Sequence, residues 1–172
     1  MTTTIRLRTD DDLPACAAVL AAVHTGDGYP VDWPADPGRW LSPGSLLGAW
    51  VAVDGAGRAG SGVVAHIALC APGDGDLAPG LWSRHSGTPS SGTAVVSRLF
   101  VAPGARGRNL GERLLAGAAE HAARLGLHPV LDVVESDRAA AALYERLGWR
   151  RLAATGQRWA SGRTVTLLSY AA

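Results

Sequence analysis

Lysine is absent from this 172-residue chain, so the sixteen Lys and Arg positions are all arginine. With 22 glycines and abundant alanine, this bias reads as GC-rich coding, and it is given no functional weight. An excess of one charge sign is also missing: 16 basic residues face 15 acidic ones, for a net charge of +1. That balance excludes the one-signed surface field that holds proteins on nucleic acid or anionic membrane, and neither partner is expected. Only two cysteines occur, Cys16 in an apolar helical pattern and Cys70 at the end of an apolar strand pattern. They form neither a disulfide framework nor a metal-ligand spacing, so buried free thiols and no metal site are expected. Neither lies in a motif suited to nucleophilic catalysis, so no covalent enzyme intermediate is expected. No apolar run reaches bilayer length, and MTTTIRLRTDDD has no apolar segment behind a basic start. A cytoplasmic location is the expectation.

What is present is enough apolar material, 47% of residues, to fill one core around a sheet and several helices. Ile5-Arg6-Leu7-Arg8 alternates like a half-buried strand, and Asp10, Asp11 and Asp12 offer an N-cap to a helix beginning near Leu13. Residues 25–45 are rich in Gly, Pro, Asp and Trp and read as a loop of the kind that lines a site. Strands are expected at 47–53 and 61–69, joined by a turn at 54–57. Residues 71–92 read as irregular and partly mobile. Beyond them the order is a strand at 93–101, a helix from 110 to Gly126, a strand at 129–134, a helix at 138–147, and strands at 150–154 and 164–170 around Ser161-Gly162. That β-α-β-α-β-β order argues a mixed sheet flanked by helices.

Between the strand ending at Val101 and the helix beginning near Leu110 lies Arg106-Gly107-Arg108-Asn109-Leu110-Gly111. A strand that feeds a glycine-containing turn opening a helix presents unpaired N–H groups and the positive end of the helix dipole. Arg106 and Arg108 add charged donors suited to phosphate. A Walker loop is excluded because no Gly-Lys-Ser/Thr occurs, and the dinucleotide fingerprint lacks its glycine triad. An anion site and a bland connection are both open on the turn alone.

The run VSRLFVAPGARGRNLGERLL, followed by VLDVV, Asp137 and AAALYERLGW, resembles the acetyl-CoA-binding core of the GCN5-related N-acetyltransferases. The resemblance implies an α/β (α+β) fold with a mixed, mostly antiparallel central sheet of about seven strands and about four helices. It implies one N-acetyltransferase domain over 1–172, with the acetyl-CoA core at 93–149. The family signature Arg/Gln-x-x-Gly-x-Gly/Ala falls on Arg106, Asn109 and Gly111. Asn109 stands where the family usually has glycine, and Asn tolerates left-handed backbone next best after Gly. The resemblance further implies that the backbone of Leu99, Phe100 and Val101 pairs with the pantetheine arm and polarises the thioester carbonyl. Tyr144 takes the position of a tyrosine beside the CoA sulfur, where a phenol protonates the departing thiolate; a core tyrosine is the alternative. Asp137 caps the following helix, contacts the pantetheine arm, or does both.

Amine acetylation also requires removal of the ammonium proton. The strand at 97–101 offers Ser97 and Arg98 but no acid. The candidate bases are His66, inside the apolar run Val63–Ile67, and Glu135, at the end of a strand; His85, Asp74 and Asp76 are weaker ones. Against each stands the plain reading of a satisfied core histidine or a solvated acid. Tyr29, Trp33, Trp40 and Trp82 are candidates for an acceptor wall, with Trp50 assigned to packing. Asp27, Asp32 and Asp36 are candidates to attract a cationic amine. The expected reaction is direct acetyl transfer from acetyl-CoA, as co-substrate, to a primary amine of a small molecule. The alternatives are a protein N-terminus or lysine as acceptor, or a non-catalytic acyl-CoA sensor. A homodimer is compatible with family habit, and the sequence names no interface for it.

Overall fold

The alternation at the start of the chain produces an edge strand, β1 (Thr3–Leu7), in the computed structural model, which describes residues 2–56 and 58–172. The remaining strands are β2 (Leu46–Asp54), β3 (Val63–Cys70), β4 (Thr93–Val101), β5 (His128–Val134), β6 (Arg150–Arg158) and β7 (Thr164–Ala171). They form one seven-stranded sheet in the order β1-β2-β3-β4-β5-β7-β6. β1 with β2, β5 with β7, and β6 with β7 run antiparallel, whereas β4 and β5 are parallel. Five helices accompany them: α1 (Leu13–Asp27), α2 (Pro37–Leu41), α3 (Ala78–Ser86), α4 (Leu110–Arg124) and α5 (Arg138–Arg146). The mixed, mostly antiparallel sheet matches the expectation. The expected turn at 54–57 includes Gly57, which lies outside the described residues. Among the described residues no helix is long and apolar enough to cross a membrane.

Two helices occupy segments expected to be irregular, and five are present among the described residues, in keeping with the expected fold of about four. In 25–45, α1 runs on to Asp27 and α2 follows Asp36, whose carboxylate accepts the Arg39 amide at 3.0 Å. Pro37 is a helix starter there and not a breaker, because a first-turn N–H has no intrahelical partner to lose. In 71–92, α3 has no cap of its own at Leu77; Asp132, on β5, accepts the Leu77 and Ala78 amides at 2.8 and 3.2 Å. A cap supplied from 54 residues away leaves no local signal.

The chain divides into two compact units, residues 1–69 with 98–118 and residues 70–97 with 119–172. In the first, Cys16, Leu20 and Val23 bring one stripe of α1 against Leu41, Val51, Val53, Val63 and Phe100. Leu20 is wholly buried, and truncating such a side chain to alanine costs about 3 kcal/mol. In the second, Ala78 of α3 packs with Val95, Val130 and Ala171, and Trp82 and Leu152 lie against them.

The first unit is latched at the β1–α1 junction. Asp12 does not cap α1 with its side chain, as the acidic run suggested. Its buried carboxylate takes two bonds from Arg6, at 2.7 and 2.8 Å, and also accepts the amides of Thr9 and Gly60, each at 2.8 Å. Those donors, Arg6 foremost, hold its pKa well below the ordinary carboxylate range. Asp12→Asn removes the charge while leaving Arg6 in place, and should lower unfolding free energy by about 3 kcal/mol in urea titration. A loss below about 0.5 kcal/mol would show that the latch contributes nothing.

Candidate active site

The turn from Arg106 to Gly111 has the backbone an anion site requires. Gly107 and Asn109 both take left-handed φ, +74° and +55°, immediately before the first residue of the fifteen-residue α4. Alternation of this kind aims successive amides into one concavity, and the first-turn amides of a helix have no intrahelical acceptor. A Cβ at 107 would meet nothing within 4 Å, so the space beside the turn is open. Asn109 adopts the conformation that its residue type permits. Leu110, the first residue of the helix, is buried and anchors the turn from below, and Gly111 follows it in the first turn.

The two arginines of the turn are both occupied by carboxylates. Arg108 binds Asp54 at 2.6 and 3.0 Å and also donates to the Thr3 hydroxyl, while Thr3 donates to Asp54 at 2.6 Å. Arg108 and the Thr3 hydroxyl draw the Asp54 carboxyl down to about 2. Arg106 pairs with Asp27 at the end of α1 in an exposed ion pair.

β4 departs from regular geometry just ahead of this turn. Its parallel register with β5 covers Thr93–Val95 against His128–Val130 and ends there. Three residues later Arg98 takes φ +54°, a conformation costing a non-glycine residue about 1–2 kcal/mol. Leu99, Phe100 and Val101 follow, with Phe100 buried and the others partly exposed.

The Arg98 kink is braced by His66. Arg8 Nη1 lies 3.0 Å from His66 Nε2, and since a guanidinium only donates, the imidazole carries its proton on Nδ1. Nδ1 donates to the Arg98 carbonyl at 2.9 Å, and the ring stacks on Phe100 at 5.1 Å. Burial, with help from the Arg8 and Arg98 charges, pushes the imidazole pKa down to about 3. Both ring nitrogens are engaged, and the residue is fully buried.

Tyr144 is placed by the ends of α5. Asp137 caps the helix by accepting the Ala140 amide at 3.1 Å, and Gly148, at φ +82°, lets the Trp149 amide turn back to the Tyr144 carbonyl at 3.0 Å. The Tyr144 ring, 5% exposed, sits 6.0 Å from Trp149 and 5.7 Å from Tyr170. Glu135 is exposed just past β5, its amide bonded to the Thr166 carbonyl at 2.8 Å.

The aromatic candidates separate by unit. Tyr29 and Trp40 pack edge-on at 6.3 Å against the first core, and Trp33, 42% exposed, tilts over His24 at 5.1 Å. Trp82 belongs to the second core and stacks on His128 at 4.0 Å. Of the acids, Asp36 is spent on capping α2 and Asp27 on Arg106. Asp76 closes a turn onto the Gly73 amide at 2.7 Å, and His85, on α3, contacts Arg150 at 2.9 Å.

Residues 21–149 match the acetyltransferase (GNAT) family. The chain belongs to that family. No curated protein matches the chain, but similar solved structures are numerous. Arabidopsis thaliana NAA60, solved with acetyl-CoA, superposes with a TM-score of 0.75 at 16% identity, covering 99% of this chain and 98% of that one. The ribosomal-protein-S18-alanine N-acetyltransferase of Escherichia coli gives 0.67 at 20% identity, over 99% and 92%. The ribosomal-protein-alanine N-acetyltransferase of Brucella melitensis gives 0.68 at 24%, over 98% of each. At these identities the likeness establishes the fold.

Sequence reasoning passed over the partners that organise this acetyltransferase's candidate residues. Arg8, Asp54 and Thr3 lie outside any motif, Arg98 stands in its run with no role attached, and their contacts span separations of 32 to 105 residues. Because His66 stays neutral when folded, the unfolded chain takes up its proton below the ordinary 6.5 while the folded protein waits until about 3. Its stabilising effect is therefore complete above pH 6.5 and is lost as pH falls toward 3, by at most about 1.4 kcal/mol per pH unit. Urea titrations between about pH 7 and pH 5 should show that slope in the native protein and a shallower one in His66→Gln. Equal slopes would mean that the imidazole is charged in the fold.

Proposed function

We propose that this acetyltransferase, working as one domain over 1–172, moves the acetyl group of acetyl-CoA directly to a primary amine of a small molecule. The observation that carries the reading is the turn at 106–111: two left-handed residues, one of them a non-glycine, deliver a row of amides to the N-terminus of a long helix. Acetyl-CoA supplies the acyl group as an activated thioester. The amides of residues 107–111 hold its pyrophosphate. Arg106, whose exposed pair with Asp27 is readily exchanged, adds a charged donor. Arg108, committed to Asp54 and Thr3, braces the turn. The core for this co-substrate spans 93–149.

In the same reading the backbone of Leu99, Phe100 and Val101 aligns the pantetheine arm and steadies the charge that develops on the carbonyl oxygen. Tyr144 Oη gives a proton to the departing sulfur, and Asp137 fixes the helix that carries it. His66 is assigned to scaffolding, since its nitrogens are engaged and its basicity is suppressed. Glu135, exposed beyond β5, is the carboxylate we assign to take the ammonium proton, directly or through water. Tyr29, Trp33 and Trp40 form the acceptor wall, while Trp82 is assigned to packing. A second reading, a protein α-amine as acceptor, is favoured by the names of the Escherichia coli and Brucella neighbours.

Thiol release from acetyl-CoA, measured against small amines, amino acids and an alanyl peptide, separates these readings. Fastest release with a small amine supports the proposal, and fastest release with the peptide moves the acceptor to proteins. Binding with no amine-dependent release would leave a sensor. Tyr144→Phe should lower kcat by about a hundredfold with acetyl-CoA affinity unchanged; an unaltered kcat removes Tyr144 from proton transfer.

A further inference from the structure

Arginine is a poor choice for a left-handed position, where Gly or Asn sits at little cost, yet Arg98 has φ +54°. The reason for the residue type therefore lies in its side chain. Arg98 Nε donates to the Trp40 carbonyl at 2.6 Å, and the guanidinium lies 4.8 Å from the centre of the Trp40 ring. One side chain thus grips both the backbone and the indole of the same residue. A lysine ammonium, a point charge on a flexible stem, lacks the rigid planar fork that holds both contacts in one fixed geometry.

The grip closes a circuit. Arg8, the next cation, donates to the Leu41 carbonyl at 2.7 Å and the Ser42 hydroxyl at 2.5 Å, and contacts His66 Nε2. His66 Nδ1 then returns to the Arg98 carbonyl. The end of α2 is consequently held by two guanidinium groups, and both lead back to the backbone of residue 98. α2 itself is five residues long, too short to hold its own shape, so these outside contacts set where Trp40 stands.

We propose that Arg98 is a positioning residue for acetyl transfer: its backbone kinks β4 directly before Leu99, its side chain fixes Trp40, and one residue thereby sets the acceptor wall against the carbonyl-polarising strand. The proposal rests on the function assigned above, in which Leu99–Val101 serve the thioester and Trp40 the acceptor. Arg98 touches neither reactant in this account and acts through the two groups it holds.

The test uses Arg98→Gly, which accepts the left-handed backbone and removes only the clamp, with Arg98→Lys as the charge-conserving control. For the best acceptor from the amine panel, kcat/KM should fall about ten- to a hundredfold in both variants. Calorimetric affinity for acetyl-CoA should stay within about twofold. Acceptor kinetics equal to the native protein's, or full rescue by lysine, overturn the proposal. So does a parallel loss of acetyl-CoA affinity, which marks a general effect on the fold. Hydrogen exchange supplies a readout that needs no acceptor: amides of residues 38–42 should exchange about tenfold faster in Arg98→Gly. Unchanged exchange there overturns the clamp on its own. Failure of the native protein to bind acetyl-CoA instead overturns the assigned function, and the exchange result still decides whether Arg98 holds α2.

Discussion

Everything informative in this protein follows from what the backbone of β4 does after its third residue. Buried amides and carbonyls must find partners, and β4 meets that demand beside β5 only over Thr93–Val95 before the register ends. Three residues on, the chain bends through a left-handed arginine, and six and eight residues after the strand closes it bends again, at Gly107 and Asn109. Each bend turns backbone donors toward a direction that regular pairing would not allow. The chemistry assigned to the chain is largely backbone chemistry, and side chains serve mainly to keep those bends in place.

Arginine is the residue that does so. Arg6 ties Asp12 at the β1–α1 junction, Arg8 and Arg98 secure the end of α2, and Arg108 joins the turn at 106–111 to Asp54 and Thr3. A planar fork with several donors satisfies carbonyls and carboxylates in fixed geometry, as a lysine ammonium does not. The coding bias that accounts for the absence of lysine leaves intact the structural use made of these arginines.

The β-α-β-α-β-β order from Thr93 onward was legible because each element there carries its own punctuation: Pro103 after β4, Gly126 after α4, Asp137 before α5 and Gly148 after it. β4 falls on the expected bounds, and α5 within one residue of them. α2 and α3 were missed for different physical reasons. Asp36-Pro37 was a readable start signal that the surrounding glycines and prolines obscured. α3 takes its cap from Asp132, on a strand more than fifty residues away, and no local pattern announces it. In the candidate site, the left-handed backbone at Asn109 was implied by the resemblance, which sets Asn where the family has glycine, and the capping role of Asp137 by its place ahead of α5. The engagement of His66 on both nitrogens, and of Arg108 with Asp54, depends on strands meeting that the linear pattern does not bring together.

The central claim is that the amides at 107–111 hold the pyrophosphate of acetyl-CoA. Amide chemical shifts of the isotope-labelled protein, followed during titration with CoA, test it most directly. The Gly107, Asn109, Leu110 and Gly111 resonances should shift saturably, with the same dissociation constant that calorimetry gives. Saturable binding that leaves those four resonances unmoved, or no binding at all, would contradict it.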